Sequence, residues 1–304
     1  MILAPLRGVT IRCFRETFAE LIRGASFTEA ITPFIPAMPG VDPMKNEELR
    51  GLVSGRETED ARRAVSVTPQ FIGKDPGALR ACLEKVKAAG CETADLNCGC
   101  PFPMVRNKGR GSGILRTPDV LLRMLEVGCE TMGPGKFSIK ARLGVDRSDE
   151  LLKLMPMINA FPLRFLTVHA RTARQMYEGA VDTVGLEKVR NVSKVPIVVN
   201  GDIPFPPQSN GPAIGKPDDR LMIGRSFVRH LGTRDDIGDW LGRYIAASQA
   251  ELCGDRPVLG RMKELLSYWK ELPGWRRRWN VIKLCRSVDE LKAAVSAPPE
   301  IPND

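Results

Sequence analysis

The chain has 304 residues, of which 43% are hydrophobic, and its mean hydropathy is −0.16. No apolar run approaches the roughly 20 residues that cross a bilayer, and the opening stretch MILAPLRGVT lacks the basic leader of a secretory signal. We therefore expect a soluble, cytoplasmic protein that does not contact a membrane. The net charge of +9 favours polyanionic partners such as nucleic acids, although charge alone identifies none.

The eight cysteines are not spaced for a metal site. No C-x-x-C pair occurs and the chain has only two histidines, so the four ligands of a structural zinc ion are lacking. We expect reduced thiols and no bound metal. The stretch ADLNCGCPFP, residues 94–103, places Cys98 and Cys100 one residue apart, where they could pack in a core, form a disulfide or do chemistry.

Short β-branched or apolar runs bounded by turn residues predict eight strands, at 2–6, 26–30, 65–71, 93–98, 137–144, 165–170, 196–202 and 220–225. Amphipathic stretches of helical length lie between most of them, at 14–24, 75–90, 117–133, 149–160 and 184–194. Because strands that alternate with helices pair in parallel, we predict an α/β fold, a (β/α)8 TIM barrel over residues 1–231. No G-x-G-x-x-G follows the first strand, which argues against an open dinucleotide-binding sheet. The proline- and glycine-rich segment 203–219 predicts a short or missing helix.

Beyond residue 231 the alternation stops, and the pattern predicts helices at 234–252, 258–272, 275–284 and 287–295. We interpret residues 232–304 as a smaller, all-helical C-terminal domain. Its basic residues are interleaved with tryptophans, among them Arg276, Arg277 and Arg278 with Trp269, Trp275 and Trp279. Such a pattern is typical of a nucleic-acid-binding surface, and it also fits a helical cap with core tryptophans and solvated arginines.

Polar residues and glycines follow the predicted strands, at the end of a TIM barrel where catalytic groups lie. In chain order the strands contribute Ala4 and Pro5, Gln70, Asn97 with Cys100, Lys140 with Arg142, His169 with Arg171, then Asn200, Gly201 and Asp202, and finally Gly224 with Arg225. Glycines and an arginine follow strands seven and eight, where TIM barrels bind phosphate, so they indicate a phosphate site. The same residues could also be ordinary turn glycines and a surface arginine. Lys140 could form a Schiff base, place a cation beside a flavin or belong to a buried ion pair.

Seven motifs in chain order resemble those of the tRNA-dihydrouridine synthase family. They are LAPLRGVT with Phe14 and Arg15 (L-A-P-M-x-G-V-T-x-x-x-F-R), PQFIG (Q-x-x-G), DLNCGCP (D-x-N-x-G-C-P), SIKARLG (V-K-x-R-x-G), VHARTARQMYEG (V-H-x-R-T-x-x-Q-x-Y-x-G), VNGDI (N-G-D-I) and MIGR (M-I-G-R). The sequence departs from the family pattern at Leu6 and Ile11, at Ala170, and in the loop 203–219, which is shorter than usual. Together the motifs are specific, although each alone is weak.

The resemblance implies an FMN-dependent reductase that converts a uridine in tRNA to 5,6-dihydrouridine, with NADPH as the electron donor. The residues that it implies for cofactor binding are Ala4, Pro5, Gln70, Lys140 and His169, and at the phosphate end Asn200, Gly201, Asp202, Gly224 and Arg225. It further implies that Asn97 and Arg142 hold the flipped-out uracil. We predict RNA contacts at Arg171, Arg174, Arg276, Arg277 and Arg278.

Reduction of uracil requires a hydride at C6 and a proton at C5. Cys100 occupies the cysteine position of the N-x-G-C-P motif, and a thiol is mostly protonated at neutral pH, so we predict that Cys100 donates this proton. Cys98 is predicted to be a small packing residue. Since a stacked base cannot enter a barrel, the nucleotide must be extruded, and we expect the basic tail to bind the tRNA backbone. We expect a monomer.

Three other hypotheses stay open at this point. The first is a flavin-dependent barrel oxidoreductase acting on a free pyrimidine or another small enone, which has no need of a basic tail. The second is an RNA-binding protein that has lost catalysis, and the third is an aldolase that uses a Lys140 Schiff base. A flavin spectrum separates the last two from the first, and activity on tRNA separates the first from the predicted enzyme.

Overall fold

The fold is described here from a computed structural model, which covers residues 1–53, 65–207 and 218–296. Within these residues, ten strands form one sheet in which every pairing is parallel. The strands are β1 Ile2–Leu3, β2 Glu29–Ile31, β3 Ile35–Ala37, β4 Ser66–Thr68, β5 Gln70–Gly73, β6 Ala94–Cys98, β7 Phe137–Gly144, β8 Leu166–Thr172, β9 Ile197–Asn200 and β10 Arg220–Ile223.

The ten strands close into an eight-stranded barrel. The number is eight because two of the barrel strands are each interrupted once and are therefore counted as two strands. The neighbour order is β3-β5-β6-β7-β8-β9-β10-β1-β2-β4, and β2 continues into β3 just as β4 continues into β5, so the two ends of the order belong to the same pair of strands. Pro69 has no N–H to donate and breaks the ladder there. Across this break the Thr32 N–H donates to the Thr68 carbonyl at 3.0 Å, and the Gln70 N–H donates to Thr32 Oγ1 at 3.0 Å. The predicted (β/α)8 barrel is confirmed.

Helices connect the strands and continue beyond the last one. They are α1 Arg12–Thr17, α2 Ala19–Gly24, α3 Glu47–Val53, α4 Pro76–Ala88, α5 Pro103–Arg106, α6 Pro118–Met132, α7 Glu150–Ile158, α8 Thr183–Val192, α9 Arg225–Leu231, α10 Ile237–Glu251, α11 Asp255–Leu266, α12 Trp275–Ile282 and α13 Val288–Ser296. Two 3₁₀ helices lie at Pro43–Lys45 and Gly111–Arg116.

The observed elements correct the prediction in several places, among them the predicted strand 65–71, which is two strands, β4 and β5, and the helices α3, α5 and α9, which were not predicted. Strand β3 was not predicted, since Pro36 lies inside it and proline signals a loop. The predicted helix 14–24 is two helices, α1 and α2, which are separated at Phe18. The predicted helix 258–272 begins earlier and ends at Leu266. Residues 203–207 and 218–219 form no helix, as expected for this loop, and 208–217 lie outside the described residues.

The helical tail packs against the barrel through buried tryptophans. The indole N–H of Trp269 donates to the Val228 carbonyl at 2.6 Å, and that of Trp275 donates to the Gly232 carbonyl at 2.8 Å. Both indoles are therefore core side chains with satisfied donors, as in the cap interpretation of this segment. The predicted domain boundary after residue 231 stays a prediction: α9 ends at Leu231, and one hydrophobic core cluster includes residues on both sides of it.

Candidate active site

A cavity of about 1250 Å³ opens at the carboxyl ends of the barrel strands. Parallel strands all deliver their following loops to this end, so residues far apart in the sequence meet there. The predicted site residues that line the cavity are Ala4, Pro5, Asn97, Cys100, Lys140, Arg142, His169, Asn200, Gly201, Asp202, Gly224 and Arg225. Leu6 and Ile11, where the sequence departs from the family pattern, line it as well.

Cationic side chains outnumber carboxylates around the cavity. Its lining includes Arg7, Lys140, Arg142, Arg225, Arg229 and Arg261. Glu47, Asp202 and Glu264 are the acidic residues of the same lining. A concave wall with this excess of positive charge attracts an anionic ligand.

The loop that follows β6 holds Cys100 in a fixed position. Asn97 Oδ1 accepts hydrogen bonds from the backbone N–H of Gly99 at 3.1 Å and of Cys100 at 2.8 Å. On the other side the Cys100 carbonyl accepts from Ser112 N at 3.1 Å and from Ser112 Oγ at 2.9 Å. Gly111 adopts a φ of +57°, and a Cβ there would lie 2.7 Å from Cys100 Cβ. Only glycine permits this approach of the two chain segments.

The two cysteines of this loop lie in different surroundings. Cys100 is 8% exposed and borders the cavity, whereas Cys98 is fully buried in the hydrophobic core. Burial raises the pKa of the Cys100 thiol, and Arg142, Arg7 and Lys140 oppose that shift. The thiol is therefore protonated at neutral pH, and nearby cations are in place to stabilise a thiolate. Both cysteines are free thiols.

Lys140 extends from β7 and is fixed by an amide. Its Nζ donates to Asn200 Oδ1 at 2.9 Å, and Asn200 Nδ2 donates to the Met222 carbonyl at 2.8 Å, which orients the amide oxygen towards the lysine. Burial, followed by repulsion from Arg142, lowers the pKa of Lys140 to about 7. The ammonium thus lies close to its titration midpoint at neutral pH, where an adjacent anion would favour the charged form.

Arg142 is a buried cation that hydrogen-bonds to main-chain carbonyls. Its Nε donates to Gly99 O at 2.9 Å, and its Nη1 donates to Thr172 O at 2.8 Å and to Met176 O at 2.7 Å. Burial lowers its pKa to about 10, so the guanidinium stays charged at neutral pH. The Tyr177 ring lies 5.3 Å from the Arg142 guanidinium, within the range of a cation–π interaction.

His169 is a neutral imidazole in the middle of β8. Burial and the neighbouring cations, Arg142 first among them, lower its pKa well below its usual value. Its Nδ1 is buried and has no hydrogen-bond partner among the residues that the structure describes. Such an orphaned polar atom beside a cavity is a candidate contact for a ligand.

Asp202 links two arginines at the end of the cavity where the sequence predicts a phosphate site. It pairs with Arg171 and with Arg225, and the Arg225 guanidinium also lies 4.6 Å from the Tyr177 ring centroid. These partners outweigh burial and lower the pKa of the Asp202 carboxyl. Beside them a Cβ on Gly224 would lie 3.0 Å from Ala4 Cβ, so the main chain of this rim is closely packed.

Several predicted site residues do not line the cavity. Gln70 is fully buried and donates from Nε2 to Asp95 Oδ2 at 2.7 Å. Arg171 is also buried, and its Nη1 has no partner among the described residues. Arg174 lies on the surface, paired with Asp146 at 2.7 Å. The contacts predicted for these residues stay predictions.

The three arginines of α12 are also separate from the cavity. Arg276 is exposed and pairs with Glu271 at 3.1 Å, whereas the Arg278 guanidinium lies 5.2 Å from the Trp275 ring centroid. Their predicted contact with RNA stays a prediction.

The structure adds lining residues that the sequence analysis missed. Among them are residues from the loop after β8, from α9 and from the helical tail: Tyr177, Ser226, Arg229, Arg261, Glu264 and Tyr268. Arg229 follows Arg225 by four residues on α9, and this helical spacing could have identified it. Nothing in the sequence indicates that α11 lies beside the barrel mouth. There Gly8, with a φ of +77°, would place a Cβ 3.1 Å from Glu264 Cγ.

Neither a metal cluster nor a membrane span is found in the described part of the chain. No group of three or more histidine, cysteine, aspartate or glutamate side chains in 1–53, 65–207 and 218–296 is arranged to hold a metal ion. In the same ranges no helix combines the length and the apolar character that crossing a bilayer requires.

Comparison with known structures shows the fold. Morphinone reductase in complex with tetrahydroNAD superposes with a TM-score of 0.52 at 13% sequence identity, over 75% of this chain and 83% of that chain. The old yellow enzyme from Trypanosoma cruzi superposes with a TM-score of 0.52 at 12% identity, over 75% of this chain and 85% of that chain.

Comparison of sequences identifies the family. The tRNA-dihydrouridine synthase B of Pseudomonas aeruginosa is 28% identical over 227 residues, which cover 74% of this chain and 65% of that protein. The tRNA-dihydrouridine synthase B of Vibrio cholerae is 28% identical over 305 residues, which cover 93% of this chain and 91% of that protein. The model of the dihydrouridine synthase (Dus) family matches residues 2–230. The chain therefore belongs to the dihydrouridine synthase family, as its motifs predicted.

Proposed function

We propose that this protein is a flavin-dependent oxidoreductase, a tRNA-dihydrouridine synthase that reduces a uridine in tRNA to 5,6-dihydrouridine. The observation that carries the proposal is the convergence of Cys100, Lys140 and Arg142 on one cationic cavity, in a chain whose family match spans residues 2–230. Both curated relatives compared above bear the name of this activity. A Schiff-base aldolase has no support from the family.

The residues of the cavity fit FMN as the bound cofactor, with NADPH as its reductant. The volume of about 1250 Å³ accommodates a flavin nucleotide together with a base. His169 Nδ1 supplies an unpartnered polar atom, and Arg225 and Arg229 supply charge and hydrogen bonds suited to a phosphate. Reduced FMN, when bound, supplies the hydride for C6 of the uracil.

Cys100 provides the proton for C5. Burial keeps the thiol protonated until it is needed, and Arg142 and Lys140 stabilise the thiolate that remains after transfer. Asn97 and Ser112 hold the backbone of Cys100 from both sides, which fixes the donor relative to the cavity. Arg142 cannot move freely, because three main-chain carbonyls hold its guanidinium.

The substrate is a nucleotide extruded from folded tRNA. Extrusion costs a few kcal/mol, and contacts of cationic side chains with the RNA backbone offset it. The contacts that we propose are Arg174 on the barrel surface and, on α12, the exposed Arg276 and Arg277 with the half-buried Arg278. None of the eight cysteines, all of which lie within the described residues, forms a disulfide, which fits a reducing cytoplasm, and the enzyme acts there as a monomer.

The experiment that tests this function compares Cys100→Ala with Cys98→Ala. Removal of a proton donor costs about 10²–10⁴-fold in rate, so Cys100→Ala should bind flavin normally and lose nearly all dihydrouridine formation in unmodified tRNA. Cys98→Ala, which changes a core thiol in the same loop, should retain its rate within a few-fold. Dihydrouridine is counted by mass spectrometry of digested tRNA, and FMN by its absorption.

Full turnover by Cys100→Ala would refute the proton-donor assignment. A wild-type protein that binds FMN and NADPH but reduces only free pyrimidines would refute the tRNA substrate. A colourless protein that binds tRNA would indicate that catalysis has been lost.

A further inference from the structure

A continuous set of side-chain hydrogen bonds runs from the centre of the barrel to Cys100. Asp95 Oδ2 accepts from Gln70 Nε2 at 2.7 Å, and Gln70 Oε1 accepts from Asn97 Nδ2 at 2.8 Å. Asn97 Oδ1 then accepts from the Cys100 backbone N–H at 2.8 Å. Asp95 and Gln70 are fully buried, and neither lines the cavity. We call these three side chains, Asp95, Gln70 and Asn97, the amide relay.

The relay has a direction that its members impose on one another. An ionised carboxylate only accepts hydrogen bonds, whereas an amide has one accepting end and one donating end. Asp95 therefore requires the nitrogen of Gln70, which leaves the oxygen of Gln70 for the nitrogen of Asn97. The oxygen of Asn97 is thereby left for the backbone donors of Gly99 and Cys100. In the opposite orientation the Asn97 amide nitrogen would meet two N–H donors, an arrangement that leaves buried donors unpaired.

We infer that Asp95 is a positioning residue for Cys100, because its carboxylate sets the orientation of the amide relay and so fixes the backbone of the proton donor. Asp95 is held from its other side by Ser138, whose Oγ donates to Oδ1 at 2.6 Å. Asp95 does not line the cavity, so its hydrogen bonds reach Cys100 through Gln70 and Asn97. Its charge also raises the pKa of Lys140, and Gln70→Met, which keeps that charge, separates the two effects. The inference rests on the proposed role of Cys100 in tRNA reduction.

Because the carboxylate sets the direction of the relay, the inference can be tested by moving the carboxylate from residue 95 to residue 70. In Asp95→Asn the side chain at 95 can donate as well as accept, so the amides of Gln70 and Asn97 are no longer held in one orientation. We expect kcat for tRNA to fall about tenfold or more, while KM stays within twofold and FMN stays bound. In the double variant Asp95→Asn/Gln70→Glu, the carboxylate stands one step closer and still accepts from Asn97 Nδ2. We expect this exchange to restore kcat to within threefold of the wild type.

A matched control is Thr167→Val. Thr167 is a buried polar residue of the barrel interior whose hydroxyl has no hydrogen-bond partner among the described residues, so its loss leaves the relay intact. Its kcat should match that of the wild type. Gln70→Met cuts the relay in the middle without touching Asp95, and it should lower kcat like Asp95→Asn. This second variant decides the question should Asp95→Asn fail to fold.

The exchange rate of the Cys100 backbone amide reports on the hydrogen bond that it donates to Asn97, and it can be measured without substrate. In the FMN-loaded enzyme we expect exchange in the peptide that contains Cys100 to be about tenfold faster in Asp95→Asn and to return to the wild-type rate in the double variant. If exchange follows this pattern while wild-type enzyme makes no dihydrouridine, the proposed function fails and the relay stands. If Asp95→Asn or Gln70→Met matches the wild type in kcat and exchange, or if the double variant restores neither, the inference is overturned.

Discussion

Replacement of Gly111 by alanine should both destabilise the protein and displace its proton donor. Gly111 begins the 3₁₀ helix Gly111–Arg116, next to Ser112, which binds the Cys100 carbonyl. Its φ of +57° disfavours any side chain, and an added Cβ would lie 2.7 Å from Cys100 Cβ and 2.9 Å from Cys100 O. Neither neighbour can yield by rotating a side chain, since both atoms are fixed by the backbone of the Cys100 loop.

The size of the effect follows from two costs, the left-handed backbone at residue 111 and the overlap of the added Cβ with Cys100. A left-handed backbone costs a residue with a Cβ roughly 1–2 kcal/mol, and overpacking adds about 1–3 kcal/mol. A domain of this size loses about 2–4 °C of Tm for each kcal/mol of lost stability, so Gly111→Ala should lower Tm by about 4–20 °C. A shift of the thiol by about 1 Å should lower kcat for tRNA by roughly 10- to 100-fold.

Gly135→Ala is the matched control. Gly135 has a φ of +69°, yet a Cβ there would meet no atom within 4 Å. Only the cost of the left-handed backbone applies, so we expect a loss of about 2–8 °C in Tm and an unchanged kcat. Thermal melting of both variants with bound FMN, followed by tRNA reduction well below either Tm, separates the two costs. Equal Tm values, or full activity of Gly111→Ala, would refute the steric argument.

Two further predictions concern charge. Because burial lowers the pKa of Lys140 to about 7 from its usual 10.5, the folded flavin-free protein binds this proton less tightly than the unfolded chain does. The stability of the folded protein therefore rises with pH between these two pKa values. The gain in Tm from Lys140→Met should be largest below pH 7 and should vanish near pH 10.5. A gain that is independent of pH would contradict this account. Simultaneous alanine substitution at Arg276, Arg277 and Arg278 should raise KM for tRNA, leave kcat unchanged and lower the slope of log KM against log salt by up to about three. The control is Lys136→Ala, which changes an exposed residue next to the start of β7, at the opposite end of the barrel. This variant should alter neither KM nor the salt dependence. An equal effect of the two variants would exclude a specific RNA surface on α12.

The motifs of the sequence determined the family and the order of the barrel strands. Alternating apolar runs and amphipathic stretches are local patterns, so β7, at Phe137–Gly144, was predicted with its observed bounds. The functional positions at strand ends followed from the same order, since parallel strands bring their carboxyl ends to one rim. Twelve of the predicted residues, including Cys100 and Lys140, do line one cavity.

Only the tertiary structure decided which neighbours these residues have. The interruption at Pro69 and the strand β3 depend on pairing between distant segments, which no local pattern reports. Likewise, Arg261 and Tyr268 reach the cavity because α11 and the segment that follows it pack beside the barrel mouth. The sequence by itself determined the kinds of chemical groups and their strands. The closed barrel decided their distances, their burial and hence their protonation, because these depend on contacts made across the whole chain.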